Sequence, residues 1–191
     1  FPHIALTAFC ADYTSEFDLP VLTEGHYVGF YPGSTIGNFT PTEAVKFLRN
    51  TKKTLGPCGF LIGVDLVKDH QILNAAYDDA LGVTAAFNKN ILARCNRELG
   101  TLFNLNAFNH SAFFNALENR IEMHLTSTIN QTIQVRDHTF RFKKDETIHT
   151  ENSYKYTLDG FADLANSAGF KPIKSWTDPN KYFSVHYLLA E

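Results

Sequence analysis

Three short segments carry the side chains best suited to bind and orient a small molecule. Residues 33–38 combine two glycines, two hydroxyl side chains and the amide of Asn38, directly after an apolar run. Glycine lets a backbone approach a ligand closely, and an amide both donates and accepts hydrogen bonds. Residues 65–69 and 76–80 bring carboxylates and a tyrosine, and residues 148–156 are polar and aromatic. These residue types indicate binding and positioning of a ligand.

Glu151 and Ser153 are the most specific pair in these segments. They lie two residues apart on an extended segment, so their side chains point to the same side and are able to contact one ligand together. The alternative is that Tyr77 and Tyr154 are core aromatic residues with surface carboxylates beside them. Both interpretations remain open at this point.

Several other classes of site do not fit the sequence. The eight histidines have neither HxH nor HExxH spacing, so we expect no metal. Loop 33–38 is not a P-loop, because no lysine follows its second glycine. The net charge of -3 and the pI of about 6.2 predict neither a nucleic-acid nor a membrane partner. Three widely spaced cysteines are typical of a reducing compartment, and we expect a cytoplasmic protein.

The elements that must position these segments follow a strand–helix–strand pattern in the first third of the chain. Strand-like runs occur at 4–10, 26–31 and 60–64, and the apolar spacing of 42–55 predicts a helix. A helix between two strands of this length predicts a βαβ unit with a parallel sheet. Loop 33–38 would then lie outside the carboxyl end of a strand, where open α/β sheets bind ligands.

The rest of the chain changes character twice. Residues 71–79 and 83–99 are predicted to be helical, and 100–119 form a looser stretch. The alternation in 120–135 and 139–143 predicts antiparallel strands, with the turn at Asp137 and His138. A capped helix at 157–168 then precedes two strands, at 170–177 and 183–189, which are joined by a turn at 178–181.

That ending resembles the way class I methyltransferase domains close their sheet. We therefore predict an α/β fold with a Rossmann-like sheet whose N-terminal strands are missing, plus an inserted α+β substrate-binding domain. The predicted boundaries are 1–67 and 156–191 for the Rossmann-like domain and 68–155 for the insert.

Six motifs, in one order, resemble a known family. They are YPGSTIGNFTP at 31–41, GVDLVKD at 63–69, AAYDDALGVTAAFN at 75–88, NRELG at 96–100, RIEMHL at 120–125 and TENSYKY at 150–156. Together they resemble the S-adenosylmethionine-dependent histidine Nα-methyltransferases of ergothioneine biosynthesis. The resemblance implies that three methyl groups from the co-substrate S-adenosylmethionine are added to the α-amine of L-histidine, which gives hercynine, and that no metal is used.

The resemblance also implies roles for residues near the methyl donor. Asp12 would bond the adenine amino group, and Tyr13 would lie beside the adenine ring. Gly33 would lie near the methionine part of the donor, in the loop that leads to Thr35, so that both would be cofactor-binding.

A second set would hold the substrate. By the same resemblance, Asn38 and Tyr77 would hold the carboxylate and amine end of histidine, and Met123 would line the pocket. Glu151 and Ser153 would bind the imidazole. Asn38 is also the expected catalytic residue, because its amide can accept from the amine while it donates to the carboxylate.

Family members carry an upstream part with a glycine-rich cofactor loop, and we expect the 191 residues to be a fragment whose partner is that missing N-terminal part. We expect the fragment alone to bind the cofactor weakly and to be inactive. Two alternatives remain open: a methyltransferase for another amino acid or amine, and a non-catalytic ligand-binding fragment.

Overall fold

The computed structural model describes residues 3–19 and 25–191, which form nine strands and four α-helices. The strands are β1 (Tyr27–Tyr31), β2 (Cys58–Asp65), β3 (Phe108–Asn115), β4 (Arg120–Ser127), β5 (Gln131–Val135), β6 (His138–Phe142), β7 (Thr147–Tyr154), β8 (Lys171–Thr177) and β9 (Phe183–Ala190). The helices are α1 (Pro41–Leu55), α2 (His70–Tyr77), α3 (Val83–Leu99) and α4 (Leu158–Ser167).

The main sheet has the strand order β1-β2-β9-β8. β1 and β2 are parallel and are connected through α1, whereas β9 runs antiparallel to both β2 and β8. β2 is buried along nearly its whole length, as expected of a strand between two others with helices against the sheet. The predicted βαβ unit and the antiparallel closing pair are confirmed, and with them the α/β fold class.

Helix α1 begins where its sequence signals predict. The Thr40 side chain accepts a hydrogen bond from the backbone N–H of Glu43, and the Glu43 carboxylate accepts one from the backbone N–H of Thr40, which is a complete capping box. Pro41 stands at the first turn, where its missing N–H costs nothing. Phe47 and Leu48 face the sheet and are buried. This helix therefore fixes the far end of the 33–38 loop.

The middle of the chain forms a separate three-stranded antiparallel sheet, β3-β4-β7, and the hairpin β5-β6. One expectation was wrong here and another was right for one residue of two. The stretch 100–119 was not predicted to hold a strand but contains β3, which pairs with β4 along its whole length. The hairpin turn is at 136 and 137, so Asp137 lies in it as predicted, whereas His138 already pairs with Val135. The predicted domain boundaries stay predictions, although the two sheets are built from the segments that those boundaries separate.

The predicted strand at 4–10 is also wrong. Residues 5–10 have no regular secondary structure, and Ile4 and Leu6 are 59% and 90% exposed. A strand is stable only with a neighbour that pairs its backbone groups. Within the described residues, β1 is hydrogen-bonded to β2 alone, so the segment 4–10 is not part of the sheet.

Within the described ranges 3–19 and 25–191, no helix combines the length and the apolar character needed to cross a membrane.

Candidate functional site

The loop at the carboxyl end of β1 is held against two other elements. Gly33 and Ser34 both have positive φ, 76° and 57°, and residues 35–38 then form a single 3-10 turn. The backbone N–H of Asp65, the last residue of β2, donates to Ser34 Oγ at 2.8 Å. Gly37 is buried against β7, where an added Cβ would lie 2.8 Å from the Tyr154 carbonyl oxygen. The glycine thus permits a close contact between the loop and β7.

That contact places Asn38 at the rim of an open cleft of about 440 Å³. Its lining consists of Asn38 with His149, Thr150, Glu151 and Asn152. Asn38 is exposed and Glu151 is half-buried. Burial raises the pKa of the Glu151 carboxyl, and the positive charge of Lys155 acts in the opposite direction. The cleft therefore offers an amide and a partly desolvated carboxylate to the same ligand.

Next to this cleft, five polar side chains form a tight network. Tyr77 OH and Ser153 Oγ are 2.9 Å apart. Lys155 Nζ donates to Tyr77 OH at 2.8 Å and to Ser153 Oγ at 2.7 Å. The same Nζ lies 2.9 Å from Asp65 Oδ2, and the other oxygen of Asp65 is paired with Lys68. The network joins the end of α2, the end of β7 and the end of β2.

Met123 lies directly opposite Glu151 in the β4–β7 register and is 2% exposed. It packs in a small apolar cluster with Leu73 and Ile121, and the half-buried Tyr77 covers that cluster. Met123 therefore belongs to the apolar core on the same face as Glu151, and it is not among the residues that line the cleft. The predicted substrate residues Asn38, Tyr77, Met123, Glu151 and Ser153 are thus gathered around one strand, and their roles remain predictions.

The predicted cofactor residues lie in two places. Gly33 and Thr35 are in the loop described above, whereas Asp12 and Tyr13 precede β1 and are exposed. The ring of Tyr13 contacts those of Tyr31 and Phe47 edge-on, at centroid distances of 5.9 and 6.2 Å. Hydrogen bonds from Thr14 hold the pKa of the Asp12 carboxyl below its usual value. These contacts anchor the segment beside β1 and α1, outside the set of residues that lines the cleft.

A further cluster, Glu122, His124 and His149, has the side-chain types of a metal site. Its geometry favours a structural role. Glu122 Oε1 is bonded to Arg120 and Asn115, and Oε2 is 3.1 Å from His124 Nε2. The two imidazole rings are stacked 4.4 Å apart with only 22° between their planes, so their in-plane lone pairs do not converge on one point.

Comparison with known proteins identifies the family to which the chain belongs. The model of the S-adenosylmethionine-dependent, histidine-specific methyltransferases matches residues 1–190. The chain belongs to this family.

Two similar relatives are histidine N-alpha-methyltransferases. The one from Mycolicibacterium smegmatis is 41% identical over 188 residues, and the one from Mycobacterium tuberculosis is 39% identical over 178 residues. These alignments cover 97% and 92% of this chain but only 58% and 55% of the relatives. Among solved structures, the CcbJ methyltransferase from Streptomyces caelestis is 12% identical, with a TM-score of 0.47 over 95% of this chain and 66% of that one.

Sequence reasoning missed the residues that support the predicted ones. Lys155 is the main omission, since a lysine is most often a solvated surface group. A signal was present, because Glu151, Ser153 and Lys155 alternate along one extended segment and so share a face. The participation of His149 in the cleft carried no comparable signal. A bulge between Met123 and His124 shifts the strand register there, and bulges are not readable from hydrophobic alternation.

Proposed function

We propose that the protein containing this chain transfers methyl groups from S-adenosylmethionine to the α-amine of L-histidine, with trimethylhistidine (hercynine) as the product. The observation that carries the proposal is the pair Glu151 and Ser153 on one face of β7: Glu151 lines the cleft together with Asn38, and Ser153 is the next residue of that face and is buried. Membership of a histidine-specific family supports the same substrate.

Glu151 and Ser153 together offer the two bonds that a neutral imidazole needs. The ring carries one N–H donor and one nitrogen acceptor. A carboxylate accepts the first, and a hydroxyl donates to the second. A wrong side chain would leave either the half-buried Glu151 or the buried Ser153 unpaired, which costs on the order of 1–3 kcal/mol. Histidine is thereby selected over amino acids whose side chains offer only one kind of bond.

Asn38 is assigned to the reacting end of the substrate. Its amide oxygen accepts from the amine, which must be deprotonated to attack, and its amide N–H groups donate to the carboxylate. Orientation of this nitrogen and exclusion of competing water are the main contributions required of the protein. When bound, S-adenosylmethionine supplies the electrophilic methyl group.

The residues of this chain fit part of a site for the methyl donor. Gly33 has a positive φ, and among the described residues no atom outside this glycine and its two chain neighbours lies within 4 Å of where its Cβ would be, so the loop leaves space beyond the carboxyl end of β1. We assign Gly33 and Thr35 to the amino-acid end of the donor and Asp12 and Tyr13 to its adenine. The portion of the relatives that this chain does not span is proposed to complete the site.

A cytoplasmic location is part of the same proposal. Cys10, Cys58 and Cys95 are all free thiols, as expected in a reducing compartment.

The test is a methylation assay on the full-length protein that contains this chain. The protein receives S-adenosylmethionine and an equimolar mixture of the twenty amino acids, and the products are identified by mass spectrometry. We expect trimethylhistidine from the wild type and roughly tenfold less, or lower still, from Glu151→Gln, because the variant loses the ionised acceptor. Glu98→Gln is the matched control, since Glu98 is an exposed acid that pairs with Arg94 on α3.

Each outcome has a distinct meaning. Trimethylhistidine that depends on Glu151 and not on Glu98 supports the proposal. Methylation of a different amino acid would retain the chemistry and reject histidine as the substrate. A folded protein that methylates none of the twenty would reject the proposed activity.

A further inference from the structure

Lys155 is a buried ammonium group with no direct part in the proposed reaction. Its side chain is 1% exposed. An ammonium group has three N–H donors, and here three acceptors surround it: Asp65 Oδ2, Tyr77 OH and Ser153 Oγ, all within 2.9 Å. A buried charge is tolerated only when it is paired and hydrogen-bonded, and this site meets both conditions. The ion pair with Asp65 is enough to neutralise its charge, so the two hydrogen bonds to hydroxyl groups have a different effect.

Those bonds determine what Ser153 can do. A serine oxygen has one O–H donor and two acceptor lone pairs. One lone pair accepts from Lys155 Nζ. Because a phenol O–H is in general a stronger hydrogen-bond donor than an aliphatic O–H, we assign Tyr77, 2.9 Å away, as the donor in the bond between the two hydroxyls. With both lone pairs of Ser153 filled, its own O–H is the only group left for a ligand.

We propose that Lys155 is a positioning and specificity-determining residue that, acting with Tyr77, holds Ser153 as an obligate hydrogen-bond donor toward the ligand. This inference rests on the proposed function and adds the reason for its selectivity. Glu151 accepts and Ser153 can only donate, so the site takes a ring with an N–H on one side and a bare nitrogen on the other. A ring that presents an N–H to Ser153 finds no acceptor there. A ring that presents a C–H leaves the Ser153 O–H without an acceptor.

Histidine analogues test this directly. In pyrrol-2-ylalanine and pyrrol-3-ylalanine the ring keeps one N–H, at one or the other of the two imidazole nitrogen positions, and carries C–H in place of the acceptor nitrogen. Dissociation constants for histidine and both analogues are measured by calorimetry on the full-length protein with S-adenosylhomocysteine present. We expect the wild type to prefer histidine over either analogue by about tenfold or more, since the analogues leave the Ser153 O–H without an acceptor.

Two variants vacate a lone pair of Ser153 in different ways. Lys155→Met removes the ammonium but keeps the length of the side chain, and Asp65 retains Lys68 as its partner. Tyr77→Phe removes the other donor and leaves the Lys155–Asp65 pair intact. Ser153 can then accept an N–H as well as donate, so we expect the preference for histidine over the analogue that presents its N–H to Ser153 to fall by about fivefold in both variants, and the remaining preference is the cost of leaving Glu151 without a donor. Lys68→Met is the matched control, because it removes the other lysine of Asp65 without touching either hydroxyl.

The results separate this inference from the proposed function. A wild-type protein that does not bind histidine would overturn both. If histidine binds but Tyr77→Phe keeps the full preference, the inference fails while the function stands. The inference also fails if Lys68→Met narrows the preference as much as Lys155→Met, since Lys155 would then act only through the Asp65 ion pair. If Lys155→Met does not fold, the Tyr77→Phe result decides alone.

Discussion

Because Gly37 is in close contact with β7, adding a single methyl group at this position tests how precisely the site is positioned. In Gly37→Ala the new Cβ would lie 2.8 Å from the Tyr154 carbonyl oxygen and 3.4 Å from Ser153 Oγ. The first distance is shorter than Cβ atoms tolerate, and ordinary contacts begin at 3.4 Å, so the turn and β7 must separate by about 0.6 Å. The backbone of β7 is fixed by its pairing with β4, whereas residues 35–38 form a single short turn, so we expect the turn that carries Asn38 to move.

The size of the effect follows from this displacement. An added methyl in a packed interior typically costs about 1–3 kcal/mol of stability. A 1 Å misplacement of a positioning group costs on the order of a hundredfold in rate, so 0.6 Å at Asn38 predicts roughly a tenfold loss of kcat/KM for histidine. Gly37 does not have a positive φ, so the substitution adds no left-handed backbone strain of its own.

The measurement is kcat/KM for methylation of histidine, together with urea denaturation, in the full-length protein. The matched control is Gly100→Ala. Gly100 has a φ of 65°, and its Cβ position has no neighbour within 4 Å in the part of the chain that the structure describes, apart from the adjoining residues. Alanine there costs about 1 kcal/mol through backbone strain and leaves the cleft untouched. If Gly37→Ala retains kcat/KM within twofold, or if Gly100→Ala loses as much activity, the reasoning that links Gly37 to Asn38 is refuted.

Two further predictions concern acid stability, and they occupy different pH windows. Burial lowers the pKa of His186 from 6.5 to about 4. Its contribution of about 3 kcal/mol to the free energy of unfolding is therefore complete above pH 6.5 and is lost as the pH falls toward 4. In His186→Gln, the urea midpoint should vary less with pH over that range. Burial alone would raise the pKa of Glu122, but hydrogen bonds led by that of Arg120 lower it to about 2, so its contribution is lost between about pH 4.5 and 2. Glu122→Gln should destabilise the protein by about 3 kcal/mol at pH 7, by leaving Arg120 without its carboxylate, and should flatten only this lower window; a change in the higher window instead would contradict the assignment.

The elements that were predicted well are those whose signals are local. Helix α1 has its cap at Thr40, its proline at the first turn and Gly56 after its last residue, and each signal acts within one turn of the residue that carries it. The closing pair β8 and β9 was equally readable, because its turn chemistry and strand propensities lie in one short stretch.

The elements that were predicted poorly depend on distant partners. Residues 4–10 have the composition of a buried strand, yet composition does not supply a neighbour to pair with. The stretch 100–119 looked irregular because its asparagines suggest turns. Pairing with β4 nevertheless makes 108–115 a strand, which is tertiary context overriding local preference.

The difference between local signals and distant partners also explains why Glu151 and Ser153 were predicted as site residues and Lys155 was missed. Glu151 and Ser153 are two residues apart, so their common orientation followed from strand geometry alone. Lys155 continues that face, but its importance depends on Asp65 and Tyr77, which are 90 and 78 residues away in the sequence and meet it only in the folded chain. A lysine becomes a buried positioning group only when such partners meet it, and no local pattern reports that they do.

These contacts link β7 to both sheets of the protein. The residues that follow it are joined to the main sheet by the Asp65–Lys155 ion pair and by a parallel bridge between Leu66 and Tyr156, and the strand itself pairs with β4 in the sheet of the insert. Glu151 and Ser153, whose positions relative to a ligand must be precise, are therefore placed on the strand that connects the insert to the main sheet. Precision in a binding site requires this kind of support, since a ligand-contacting group is only as well positioned as the residues that hold it. On this reasoning, variants of Asp65 and Lys155 should change substrate discrimination even though neither side chain is proposed to touch the substrate.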